Sequence, residues 1–294
     1  MEILHEEKLK KLEVLANEIR QTIILTLAEA KSGHTAGPLG MADIFTAMYF
    51  HVLKHDPNNP DWPERDRLLL SNGHICPVLY VTMAFAGYFP KAELKTLRKI
   101  NTRLQGHPHR QVLPGIESTS GPLGSGLSQT CGMALASRLD KKKNHFYCMM
   151  SDGECDSGNT WEGAMLAGKY KLSNITAIID RNNIQIDGNT ENIMPLEPFR
   201  DKWEAFGWHT IEVNGHNIEQ FVDAVYEAQA IYEKPTVIIA HTIPGKGVSF
   251  MEGDYRWHGT PPGEGPENIV PKSEQAGRAL EELQALGRKI QSEH

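Results

Sequence analysis

The chain has 294 residues, 40% hydrophobic and 23% charged, enough for one large α/β core or two small ones and ordinary for a water-soluble globular protein. Its net charge of −7 gives no electrostatic reason to expect a DNA or RNA partner, and no apolar run reaches the length of a membrane span. Cys76, Cys131, Cys148 and Cys155 form neither a Cys-x-x-Cys pair nor a disulfide framework, and residues 1–8 lack a signal-peptide core, so the expected compartment is the reducing cytoplasm.

In chain order, Leu9, Leu12, Leu15, Ala16, Ile19, Ile23 and Leu27 recur at helical spacing and predict an amphipathic helix over 6–30. It runs into a glycine-rich loop, 31–40, that has neither a helical nor a strand period. A second helix is expected through Met41, Ile44, Phe45 and Met48, then a turn cluster at 56–60 and a short strand at 67–70. Ser71-Asn72-Gly73-His74 leads into a helix over 78–86, and another helix is expected at 91–100. Gln105-Gly106-His107-Pro108 and the loop 118–126 precede a helix at 127–140. The apolar strand 146–150 ends in Ser151-Asp152-Gly153-Glu154. A helical segment through Trp161, Ala164, Leu166 and Ala167 follows, then the strand 175–179. Beyond the run Asp180-Arg181-Asn182-Asn183-Ile184-Gln185-Ile186-Asp187-Gly188 come a helix near 198–206, a strand at 210–213, a helix at 218–232 and a strand at 236–240. An irregular stretch rich in Trp, Gly and Pro spans 244–266, and a last helix 273–290. Strands alternating with helices, without repeat or linker, predict an α/β fold. It is a doubly wound parallel sheet with helices on both faces, in one domain over 1–294.

Asp152 and Asn182 stand 30 residues apart, each just past the carboxyl end of its strand, where open α/β sheets bind ligands. Alone, Asp-Gly reads as a turn and Asn-Asn as a loop. Together, one carboxylate, one amide oxygen and a nearby carbonyl make a sparse oxygen site. Such a site suits Mg²⁺, whose octahedron phosphate and water complete. The Gly153 amide lies beside a helix start, where phosphate is welcome. His34, His74 and His107 each follow a glycine, and His258 precedes Gly259. No two of these four have the i, i+4 spacing of a zinc site, so acid–base work or binding of oxygen-rich substrates fits better. His216, in Asn214-Gly215-His216, reads as structural, and His109 beside Arg110 is unassigned. Gly121-Pro122-Leu123-Gly124-Ser125-Gly126 has the wrong glycine order for a dinucleotide fingerprint, and no clear strand precedes it.

Asp-Gly-Glu followed about 30 residues later by Asn-Asn-Ile resembles the metal signature of thiamine-diphosphate enzymes, in detail that of transketolases. Ser32-Gly33-His34, Ser71-Asn72-Gly73-His74, Gly106-His107-Pro108 and Trp257-His258-Gly259 resemble that family's histidine loops, in the same order. The similarity runs from about residue 20 to 266. It implies that Asp152, Asn182 and the Ile184 carbonyl hold Mg²⁺, and that His34, His107 and His258 line the sugar channel as catalytic groups. The implied contacts to thiamine diphosphate are His74, Gly121, Pro122, Leu123, Gly153, Glu154, Asn182, Ile186 and His258. Of these, Gly121 and Leu123 would meet the pyrimidine ring and Ile186 the thiazolium. A full transketolase is more than twice this length, so the resemblance is to the diphosphate-binding half of a split enzyme. It implies a partner subunit supplying the pyrimidine-binding domain, a heterotetramer, and two-carbon ketol transfer from a ketose to an aldose. The alternatives are the cofactor-binding subunit of a 2-oxo acid decarboxylase or dehydrogenase, and a module that holds the cofactor without turnover. Two positions depart from the family pattern. Ser151 replaces a glycine, which is tolerable if the backbone there avoids positive φ, and Ser157 aligns with a family glutamate near the subunit interface.

Overall fold

The computed structural model describes residues 4–293, so residues 1–3 of the amino-terminal stretch lie outside the described residues. Helix α1 (Glu6–Ala30) buries Leu12, Ala16, Ile19, Ile23 and Leu27, the stripe expected from their spacing. Its buried Arg20 pairs with Asp43 and donates to the Leu39 carbonyl, which pins the next segment. That segment is α2 (Ala36–Gly40) and α3 (Ala42–Ala47), which widens into a π turn over Met48–Val52. Strand β1 (Arg67–Leu70) and helix α4 (Cys76–Phe85) follow, then helix α5 (Ser125–Leu139), strand β2 (Phe146–Ser151), helix α6 (Gly158–Lys169) and strand β3 (Ile175–Arg181). A small hairpin of β4 (Ile184–Gln185) and β5 (Gly188–Asn189) leads to α7 (Thr190–Ile193) and α8 (Phe199–Ala205). The chain then forms β6 (His209–Asn214), α9 (Ile218–Ala230), β7 (Thr236–His241) and α10 (Gln275–Glu293).

Five strands make one all-parallel sheet in the order β1-β2-β3-β7-β6. Both faces are covered, which is why β2 and β3 are buried at every residue and read as unbroken apolar runs. Tyr147, Met149, Ile178, Ile238 and Ala240 point to one face and pack with α1, α3, α4 and α9. Cys148, Met150, Ala177, Ile179, Val237 and Ile239 point to the other, with α5, α6 and α8. Trp203 and Trp208 fill that second layer with ring centroids 5.0 Å apart, and the Trp208 indole donates to the Ala164 carbonyl. All four cysteines are buried free thiols. Among the described residues, no helix is long and apolar enough to cross a membrane.

Three local expectations need correction. The loop 31–40 contains α2, all five residues of which are buried, so tertiary burial overrides its glycines and proline. The helix expected over 91–100 is a 3₁₀ segment, Lys91–Thr96. Leu94 within it and Leu97 just past it are buried three apart, and Arg98 and Asn101 adopt left-handed φ of 59° and 63°, which no continuing helix allows. The β4–β5 hairpin is an addition to the expected elements, although Asp187-Gly188 is a recognised hairpin signal.

Candidate active site

The β2–β3 register pairs Ser151 with Asp180, so the two strand tips end level and the Asp152 amide donates to the Asp180 carbonyl at 3.2 Å. Ser151 lies in extended strand geometry and is absent from the positive-φ residues, which accounts for a serine where the family has glycine. Asp152 is fully buried. Its Oδ2 accepts from the Asn183 amide at 2.7 Å and its Oδ1 from the Gly153 amide at 2.7 Å. Asn183 reaches it through a left-handed φ of 62°, a conformation that asparagine tolerates. The Asn182 Nδ2 donates to Asp180 Oδ2 at 2.8 Å, which orients Oδ1 the other way, where it accepts from the Ile184 amide at 3.0 Å. Arg181 Nη1 lies 3.3 Å from Asp152 Oδ2, while its Nη2 is held by Glu191 and Glu197 at 2.8 and 2.9 Å.

Glu154 is buried beside this pair. Its Oε1 accepts from Ser71 Oγ at 2.6 Å, and Ser71 Oγ accepts from the Gly126 amide at 3.1 Å. One hydroxyl thus ties the turn after β1, the start of α5 and the turn after β2. The turn after β2 is also fixed by Trp161, whose indole donates to the Cys155 carbonyl at 2.8 Å. Burial pushes the Asp152 carboxyl up to about 6, against the Asn183 amide and Arg181, and pushes Glu154 up to about 7. Asp180 also rises to about 7, from burial and the Asp152 charge. Asp152, Glu154 and Asp180 are three buried carboxyls within two adjoining turns, and of them only Asp152 meets the Arg181 guanidinium, so an added cation is favoured there. Among the described residues, no group of three or more His, Cys, Asp or Glu could cage a metal by itself. The oxygen donors therefore fit a hard cation that completes its shell with phosphate and water rather than an all-protein site.

These tips open into a cavity of about 300 Å³. It is lined by His34, His74, His107, His258, Gly121, Leu123, Gly153, Glu154, Asn182, Ile184 and Ile186. Asp152 lies behind that wall and Pro122 off it. Ser151, Gln185, Asp187 and Gly37 also line it. Sequence reading does not place the last three there, because the added hairpin carries two of them and the buried α2 the third. The imidazoles of His34, His74 and His258 form a triangle with centroid separations of 4.9, 5.3 and 5.2 Å. The His34 and His258 loops are bound together directly, since Thr35 Oγ1 donates to the Thr260 carbonyl at 2.6 Å and the Gly245 amide to the Ala36 carbonyl at 2.8 Å. Burial lowers His34 to about 3, helped by the charges of His258, Arg98 and His107. Burial also lowers His74, His107 and His258, so near neutral pH all four act as neutral donors or acceptors. Lone buried polar atoms remain at His34 Nδ1, Ser120 Oγ and both side-chain atoms of Asn72. His216 is structural: its Nδ1 meets Asp43 and its Nε2 accepts from the Ile243 amide. His109 Nδ1 accepts from the Gln111 amide within its own turn.

Residues 12–279 match the family described as transketolase, thiamine diphosphate binding domain. The chain belongs to that family. It is 45% identical to the 6-deoxy-6-sulfo-D-fructose transketolase subunit of Clostridium sp. strain MSTE9, over 83% of this chain and 88% of that subunit. It is 39% identical to an apulose-4-phosphate transketolase subunit of Phocaeicola vulgatus, over 96% and 97%. The fold superposes on transketolase from Leishmania mexicana with a TM-score of 0.82 and 32% identity, covering 96% of this chain but 45% of that one. The family resemblance read from the histidine loops therefore holds: the chain is similar over most of its length to proteins named as transketolase subunits and has the family's α/β thiamine-diphosphate-binding fold.

Proposed function

We propose that this chain is the diphosphate-binding subunit of a two-chain transketolase that moves a two-carbon ketol unit from an anionic ketose to an aldose. The observation that carries the reading is one cavity receiving both the strand-tip oxygens at Asn182 and Ile184 and the four glycine-flanked histidines. Thiamine diphosphate, when bound, supplies the thiazolium that accepts the carbanion character of the broken carbon–carbon bond. This chain's share is binding and orientation. The Asp152 carboxylate, the Asn182 Oδ1 and the Ile184 carbonyl would hold Mg²⁺, whose charge answers both the buried carboxyls and the diphosphate. The Gly153 amide, His74 and His258 would contact the diphosphate, with Glu154 fixing the turn. Gly121, Pro122 and Leu123 would border the pyrimidine ring, and Ile186 would pack on the thiazolium. His34, His107 and His258, neutral at working pH, would donate to or accept protons from sugar hydroxyls as the bond breaks. An anionic substrate is supported by the names of both subunit-type relatives, which carry a sulfonate and a phosphate. A partner chain would complete the pyrimidine side in a cytoplasmic heterotetramer. The 2-oxo acid readings give the histidine cluster no task.

The test is co-purification with the partner chain followed by titration with Mg²⁺ and thiamine diphosphate. The complex should bind cofactor in a Mg²⁺-dependent way and transfer ketol units, and Asp152→Ala should abolish both. Ketol transfer by this chain alone would refute the two-chain reading.

A further inference from the structure

The cavity is lined by histidines and by two carboxylate residues, Glu154 and Asp187, but by no lysine or arginine. Nothing on its wall matches a fully charged sugar terminus. A guanidinium with no carboxylate partner among the described residues stands beside it. Arg98 is exposed and makes no ion pair or side-chain hydrogen bond with any described residue. Its neighbours on the same turn differ: Lys99 is engaged by Glu29 at 2.6 Å, and Arg103 holds Glu93 with both fork nitrogens at 2.9 and 2.7 Å. The Arg98 backbone is held in the left-handed region, φ 59°, by its amide donating to the Leu104 carbonyl at 2.9 Å. For a non-glycine residue this is an uncommon conformation that the surrounding contacts must maintain.

The side chain lies across both glycine–histidine turns of the channel. A Cβ at Gly106 would fall 2.8 Å from Arg98 Cζ, and one at Gly33 would fall 4.0 Å from Nη1. Glycine at 106 lets the guanidinium lie against the backbone that carries His107, and the side chain reaches ordinary contact distance of the Gly33 turn that carries His34. Its charge reaches His34 and His107, two of the three histidines assigned to the sugar channel.

We propose that Arg98 is a specificity-determining residue that binds the terminal oxyanion of the sugar, a phosphate or sulfonate, from this chain's side of the channel. The inference rests on the transketolase reading above. A guanidinium presents a planar fork matched to such an anion, and its five donors have no competing carboxylate here.

The experiment uses the complex with its partner chain and three donors: fructose 6-phosphate, 6-deoxy-6-sulfo-D-fructose and unsubstituted fructose. Arg98→Gln should raise KM for the two charged donors by roughly 10- to 100-fold, with kcat and the fructose kinetics nearly unchanged, and Arg98→Lys should recover part of the loss. A larger effect on one charged donor identifies phosphate or sulfonate as the anion the site is shaped for. Equal losses on charged and neutral donors, no loss on any, or a matching loss of thiamine diphosphate affinity would each overturn the assignment while leaving ketol transfer in place. A wild-type complex that transfers from none of the three defeats the underlying reading and this one with it.

Discussion

His145 sits one residue before β2, with Nε2 2.8 Å from Thr176 Oγ1 and its ring 4.7 Å from Tyr147. Burial alone lowers it to about 4. Above pH 6.5 the imidazole is neutral in both folded and unfolded chains and adds no pH dependence. Below 6.5 the unfolded chain takes up a proton that the native ring refuses until about pH 4, so stability is lost across that window as pH falls. Glu154 and Asp180, raised to about 7, act in the opposite sense, because the native state keeps protons that the unfolded chain has released. The total profile mixes the two, but the difference between wild type and His145→Gln isolates the imidazole. Melting temperatures measured from pH 7 to 4 should fall less steeply in the variant, and parallel curves would show that His145 titrates normally in the native state.

Helix α5 offers a matched pair of glycines. Gly126 packs on the turn after β1, where an added Cβ would meet Ser71 Oγ at 2.4 Å and Ser71 Cα at 2.8 Å, whereas at Gly132 nothing lies within 4 Å. Gly126→Ala must push the helix off that turn and should cost about 1–3 kcal/mol, as overpacking does. Gly132→Ala should stabilise by about 0.5–1 kcal/mol through helix propensity. Denaturant unfolding checks both signs, and equal effects would mean that the close contact at Ser71 is absent. Elements of this kind are legible in sequence to different depths. The spacing of Leu12, Ile19 and Ile23 and the apolar runs of β2 and β3 give helix and strand limits to within a residue or two, because a single period governs each. The strand tips can be read too, since Asp152 and Asn182 follow runs that are unmistakably strands. What sequence does not carry is anything decided between distant segments. Ser71 bridging Gly126 and Glu154, Asp180 orienting Asn182, and Arg181 among three carboxylates each depend on which turns become neighbours. The Glu154 contact to the cofactor is expected from motif likeness, but its burial under Ser71 is not.

At the scale of the whole molecule, the cavity is open on its outer side. Ile186, at the tip of the β4–β5 hairpin, is 72% exposed and Leu123 is 41% exposed, although both line the cavity. If another chain closes that side, cofactor affinity and the association of the two chains are linked by mass action. Diluting the purified complex should then release thiamine diphosphate together with the partner, and excess cofactor should hold the two chains together. Analytical ultracentrifugation with and without cofactor reads this, and a dissociation constant indifferent to cofactor would break the link. The bond from Thr35 to Thr260 has a consequence of another kind. The two residues are 225 positions apart, so the chamber has no existence in a half-made polypeptide. Until the segment beyond the last strand has been delivered, His34 has His74 beside it but lacks the His258 wall. Vitamin capture therefore belongs to the end of synthesis, and the nascent chain must reach its native topology unaided by the coenzyme it will later hold.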